Sequence, residues 1–219
     1  MAEHQGKIVI SRYSAAERIE HWVLALAFIL AALSGLAFFH PALFWLSNLT
    51  GGGTWSRILH PYFGLLMTVA FALLAMAVAR YNRLDANDKL WLRNIRYVAT
   101  NDESKLPEVG KYNAGQKLLF YGLTACMILL LVTGIIMWRS MFSAFFSIGV
   151  IRVASLVHAV TAFVLICAIL MHAYFGISWA SGSMRAMTRG TVTPGWAWRH
   201  HRSWFREVIR AENSRTRPD

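Results

Sequence analysis

The sequence predicts an all-α integral membrane protein, a bundle of four transmembrane helices with both termini cytoplasmic. Three observations lead there. Hydrophobic residues make up 56% of the 219 and charged ones 15%, against roughly 45–50% and 25% in an ordinary soluble domain. Mean hydropathy is +0.42. The few charges also avoid four stretches, 22–39, 58–79, 118–138 and 153–180. A run of about 20 apolar residues crosses the ~30 Å hydrocarbon core as a helix, so all four qualify.

The first span opens on Ser14-Ala15-Ala16-Glu17, a capping box that starts a helix at Ala15. Its flanks lack the short positive start and small-residue site of a cleavable signal. The spans are then expected at about 15–39, 58–79, 115–138 and 151–180 of one membrane domain covering 1–219, with 181–219 as a cytoplasmic tail. Between spans two and three, Trp91, Leu92, Ile95 and Val98 recur near helical spacing and predict a helix lying in the interface. The tail interleaves Trp196, Trp198, Trp204 and Phe205 with bases, a pattern expected of a membrane-surface anchor. Cys126 and Cys167 sit inside spans three and four and read as packing residues. No C-x-x-C-H occurs, and no internal repeat is evident.

The net charge of +11 and the pI near 10.3 would by themselves suggest nucleic acid. Position decides otherwise. Of 22 Lys and Arg, 19 lie in the N-terminal segment, the loop between spans two and three, and the tail; 3 lie on the other side, and all 11 acidic residues share the basic side. Cytoplasmic loops carry the Lys/Arg excess. The basicity is therefore a topological signal, and the partner it implies is a lipid membrane, with no nucleic acid.

Histidine brings the chemistry. His21, His60, His158 and His172 lie in or at the edges of spans; His40 ends the first span as a surface residue, and His4, His200 and His201 fall in the extensions. One intramembrane histidine could simply hydrogen-bond across helices. The set is more specific. His158 and His172 are 14 residues apart, about 21 Å along a helix and four turns less about 40°, so they face the same way at two depths. With the predicted topology His60 matches the outer His158, and His21 the inner His172. Two facing imidazoles across a helix bundle make a haem b site, so the spacing predicts two stacked b haems with these four histidines on the haem iron. Gly35 shares the face of His21 at the depth of the outer pair, where a porphyrin would approach the backbone; helix packing explains it equally well. Arg57, Arg152 and Arg18 are candidates for haem propionates or for interfacial anchors. Zinc fits poorly, since a structural site needs four clustered ligands. Bis-histidine ligation leaves iron no open position, so electron transfer is expected and oxygen chemistry is not. No Asp or Glu lies in a charge-free span, which weighs against a carboxylate proton pump.

Several segments add a family resemblance covering nearly the whole chain: R-I-E-H-W at 18–22, R-I-L-H-P-Y-F-G at 57–64, V-G-K-Y-N-A-G-Q-K at 109–117, L-L-V-T-G-I-I-M-W-R at 130–139 and R-H-H-R-S-W-F-R-E at 199–207. They resemble the gamma subunits of respiratory formate dehydrogenases, the di-haem cytochrome b membrane anchors. The resemblance implies His21 and His172 as axial ligands of an inner haem, His60 and His158 as those of an outer haem, and Asn113, Gly115 and Gln116 at a quinone site beside His172. It further implies an iron–sulfur beta subunit and a molybdenum or tungsten alpha subunit on the periplasmic side of a bacterial inner membrane. This chain would then not oxidise formate itself but pass electrons to menaquinone or ubiquinone. Cytochrome b subunits of Ni-Fe hydrogenases share the four-helix, two-haem plan and are the alternative.

Overall fold

The computed structural model describes residues 2–4, 7–100 and 102–216. Four helices are long and apolar enough to cross a membrane: α1 (Ala15–Phe39), α2 (Gly53–Val78), α5 (Ala114–Met137) and α6 (Ile148–Tyr174). The shorter helices are α3 (Ala86–Arg93), α4 (Arg96–Ala99), α7 (Ser183–Arg189), α8 (Pro194–His200) and α9 (Arg202–Thr216), with strands β1 (Ala2–His4), β2 (Lys7–Ser11) and β3 (Thr191–Val192). Two compact units result: Ile19–Ala75 with Gly122–Tyr174, and a second holding the terminal segments, Met76–Tyr121 and the residues from Phe175 on.

The first unit is the body of the helix bundle. Its core is a patch of Ala27, Ala31, Met67, Met127, Leu130 and Leu165, flanked by Phe28, Phe63, Phe71, Leu123 and Cys126. Small residues on α1 leave room there for the two flexible methionines. In the most apolar window of each span only 17–22% of residues are buried, so most of the apolar surface points outward. Such an all-round apolar helix belongs in lipid. Cys167 is among the exposed residues.

Helix ends follow local chemistry. Ser14 and Glu17 form the expected reciprocal cap, with Ser14 N–H donating to Glu17 at 2.7 Å and Glu17 N–H to Ser14 at 3.2 Å. Pro41 stops α1 by forcing His40 into extended backbone, and the His40 ring accepts from Ala42 N–H at 3.2 Å, capping a ten-residue 3-10 segment (Pro41–Thr50). That segment closes on Gly51 and Gly52, both at left-handed φ near +90°. Ser56 Oγ–H donates to Gly52 C=O at 2.9 Å, and Ser56 is hydrogen-bonded to Thr50. α2 and α6 start five and three residues ahead of the expected 58 and 151, so Arg57 and Arg152 are each the fifth residue of their helix. After Tyr174, α6 passes into a π turn at Phe175–Trp179.

In the second unit β1, β2 and β3 form a small antiparallel sheet, with Ile10 opposite Val192. Ile10, Ala186, Val192, Ala197 and Trp204 make its core, with Tyr13, Trp196, Phe205 and Val208 packed around. This corrects the reading of the tail as a surface anchor. Trp204 is buried in this protein core, whereas Trp198 alone of the tail tryptophans is exposed. The last residues of the tail, 217–219, lie outside the described set, and so does the side chain of His4. The expected interface helix is also altered: it breaks at Asn94 between α3 and α4, and Trp91 turns inward against Gly115.

Candidate functional site

Within the bundle unit the four intramembrane histidines meet in twos. The ring centroids of His60 and His158 are 6.2 Å apart, with planes at 70°. Those of His21 and His172 are also 6.2 Å apart, at 50°. An imidazole nitrogen binds a metal ion at about 2 Å, and the ring centre lies roughly 1 Å further, so two rings sharing one ion between them stand about 6 Å apart. Both pairs match that spacing. Direct imidazole hydrogen bonding would draw the rings closer, to an N···N distance near 2.9 Å. Among the described residues no group of three or more His, Cys, Asp or Glu converges, so the donor set at each level is two nitrogens, which suits the axial positions of a haem.

The surroundings of His60 and His158 repeat each other. Ser34 Oγ is 2.9 Å from His60 Nδ1 and Thr133 Oγ1 is 2.8 Å from His158 Nδ1. A glycine follows each hydroxyl residue. A methyl at Gly35 would come within 3.2 Å of the His60 ring, and one at Gly134 within 3.5 Å of the His158 ring. The rings thus lie against the backbones of α1 and α5. Gly35 is therefore a seat for the His60 imidazole, where clearance for a porphyrin was expected. His21 differs: its Nδ1 is buried without a hydrogen-bond partner among the described residues.

Of the arginine candidates, Arg57 lies over the Phe38 ring at 5.7 Å and Arg152 is exposed. Arg18 lies against Gly190 in the second unit.

Asn113, Gly115 and Gln116 open α5, in the second unit. Gln116 N–H donates to Asn113 Oδ1 and Asn113 N–H to Gln116 Oε1, both at 2.9 Å. This capping box satisfies two free backbone donors of the helix start. It also turns the amide oxygens inward, leaving the NH₂ end of each side chain as a donor. Gly115 has a packing role: a methyl there would meet Trp91 at 3.2 Å. α3 is clamped to the same turn by charge. Lys117 Nζ donates to Asp88 at 2.8 Å and Asp85 at 3.3 Å, with Lys117 and Asp88 both buried. The Asp85 carboxyl would be raised by burial, but the Asp88 backbone bond and Lys117 outweigh this and hold it below the usual range.

A second cluster was not foreseen. Arg12, 5% exposed, sits among Trp204, Trp196, Tyr13 and Tyr112 at 4.5–5.9 Å. It donates to the Lys111 carbonyl and reaches His201 Nε2 at 3.2 Å. His201 Nδ1 is 2.8 Å from the Gly110 carbonyl, so that nitrogen carries the proton and Nε2 accepts from Arg12. Burial, and then Arg12, push His201 well below the ordinary histidine value and keep it neutral. These side chains tie β2, the 110–112 segment and the tail together. The H-H pair at 200–201 was the available signal, but an extension gave no reason to expect a core position.

The prokaryotic cytochrome b561 family model matches residues 12–190. The cytochrome b556(Fdn) subunit of nitrate-inducible formate dehydrogenase from Escherichia coli is 41% identical over 204 residues, 93% of this chain and 94% of that one. The cytochrome b556(fdo) subunit of formate dehydrogenase from the same organism is 42% identical over 199 residues, 91% and 93% of the two chains. The formate dehydrogenase cytochrome b556 subunit of Haemophilus influenzae is 42% identical over 200 residues, covering 91% of this chain and 84% of that one. Four apolar membrane helices, paired histidines and this similarity along nearly the whole length give one conclusion: the chain is a member of the prokaryotic cytochrome b561 family, multi-pass membrane proteins that carry haem b.

Proposed function

We propose that this chain is the cytochrome b subunit of a formate dehydrogenase complex in a bacterial inner membrane. It anchors an iron–sulfur subunit and a molybdenum or tungsten catalytic subunit on the periplasmic side and delivers their electrons to quinone. The observation that carries the reading is the two histidine pairs, each at the spacing of shared metal ligands, in a chain whose relatives are formate dehydrogenase cytochrome b556 subunits.

His60 and His158 would hold an outer haem b, and His21 and His172 an inner one. Bound there, haem b supplies one-electron carriers at two depths of the membrane. The protein's part would be to ligate each haem through the two imidazoles of a pair, which would leave no place for oxygen or substrate. It also keeps 22–39, 58–79, 118–138 and 153–180 free of Asp, Glu, Lys and Arg. At the cytoplasmic start of α5, Asn113 and Gln116 offer amide donors to a quinone carbonyl. The polar loops there let water supply the two protons that accompany two electrons to quinol. Because electrons arrive from the periplasmic side and protons from the cytoplasm, each turnover moves charge across the membrane.

Replacing His172 with Ala tests the assignment. The account expects quinone reduction and one haem to be lost, while formate oxidation by the assembled complex with an artificial dye persists. Retention of both haems, or loss of both activities together, would refute it. A nickel subunit co-purifying in place of a molybdenum or tungsten one would move the chain to the hydrogenase type.

A further inference from the structure

The hydroxyls beside His60 and His158 have a directional chemistry. Ser34 is fully buried. Its Oγ–H donates to the Leu30 carbonyl at 2.7 Å, with the Ala31 carbonyl at 3.1 Å. Thr133, also buried, donates to Leu129 at 2.6 Å, with Leu130 at 3.4 Å. A hydroxyl has one proton. With that proton directed at the preceding turn, each oxygen can only accept from its histidine, so the proton of both rings sits on Nδ1. This leaves each Nε2 with a free lone pair, the atom a haem iron requires. In hydrocarbon no water can replace the missing partner if the hydroxyl is removed.

We propose that Ser34 and Thr133 are positioning residues that fix the tautomer of the outer ligands and lower the potential of the haem held between them. The inference rests on the proposed ligand set. A hydrogen bond accepted from Nδ1–H makes the opposite nitrogen a stronger donor, and stronger donation favours ferric over ferrous iron. The relay runs from His Nδ1–H to hydroxyl oxygen to helix carbonyl at both rings. His21 has no such partner among the described residues. The inner haem therefore lacks this source of depression on one of its ligands, and electrons entering at the outer pair run toward the higher potential. The sequence carries the device twice, as Ser34-Gly35 and Thr133-Gly134: a hydroxyl to take the proton, then a glycine to let the ring approach.

The test is a spectroscopic redox titration of membranes containing the assembled complex, comparing wild type with Ser34→Ala, Thr133→Val, Ser34→Thr and Thr133→Ser. The first two should raise one of the two haem potentials, with a ferric/ferrous shift up to about tenfold, which is about 59 mV for one electron. The other potential should stay in place, and the conservative variants should restore the first. Unchanged potentials with both haems present overturn the proposal, as does an equal shift of both. If Ser34→Ala takes up no outer haem, Ser34→Cys keeps the size with a weaker acceptor, and a wild-type potential there overturns it equally. Failure of the ligand assignment itself looks different, because His60→Ala or His158→Ala would then keep two haems.

Discussion

Asn113 and Gln116 use opposite ends of their amides. The oxygens cap α5 through reciprocal 2.9 Å bonds, and the NH₂ groups are the donors proposed for a quinone carbonyl. The two roles separate by substitution. Asn113→Asp and Gln116→Glu keep every oxygen the cap needs but remove the donors. The expected outcome is an intact, haem-loaded protein whose quinone KM rises about tenfold, the worth of one hydrogen bond of roughly 1.4 kcal/mol. Steady-state kinetics with a soluble quinone measure it, and an unchanged KM would leave these residues as a helix start only. Gly115 belongs to the packing of Trp91, which no reading of N-A-G-Q as a motif reveals. The same holds for Ser34 and Thr133. Their letters are ordinary in a membrane helix, and their meaning appears only once a partner helix brings a histidine within hydrogen-bonding reach.

At the scale of elements, the clamp of α3 on α5 is the clearest case of a charge committed to structure. Lys117 and Asp88 are both buried and 2.8 Å apart. Lys117→Met strands the Asp88 carboxylate and is expected to cost about 3–5 kcal/mol, much of it regained when Asp88→Asn is added. Thermal unfolding of the single and double variants in detergent reads the difference; equal loss in both would remove the ion pair from the account. The tail responds to pH through His201. Unfolded, it titrates near the ordinary 6.5, and folded it stays neutral to well below that. Above 6.5 both states are neutral. As pH falls through 6.5, only the unfolded chain takes up the proton, so stability declines until the folded value is reached. Limited proteolysis of the tail should therefore accelerate between pH 7.5 and 5.5, and His201→Gln should flatten that rise. A tail equally resistant at both pH values would contradict the buried neutral histidine. The amphipathic spacing around Trp91 was legible as helix but not as burial, and the tail's tryptophans among bases as neither, since such patterns do not show whether protein or lipid covers an apolar face.

For the whole molecule, the four spans are readable because hydrocarbon excludes charge, and the absence of Asp, Glu, Lys and Arg from 22–39, 58–79, 118–138 and 153–180 is a direct record of that. The record is less sharp at the ends. Arg57 and Arg152 bound the charge-free runs, yet the helices extend beyond them to Gly53 and Ile148, because the opening turns of a span can stand in the interface where arginine is welcome. The histidine pairing was legible because helical rise converts sequence spacing into depth, and the strong Lys/Arg asymmetry says which ends match. What no spacing argument supplies is the lateral approach of the rings, which depends on glycines and hydroxyls of the neighbouring helices. The proposed function requires four histidines that hold two haems at two depths. Pyridine haemochrome analysis of the purified complex tests it most directly. The account predicts two b-type haems per chain, and one in each of the His158→Ala and His172→Ala variants. A colourless chain, or two haems surviving either substitution, would contradict it.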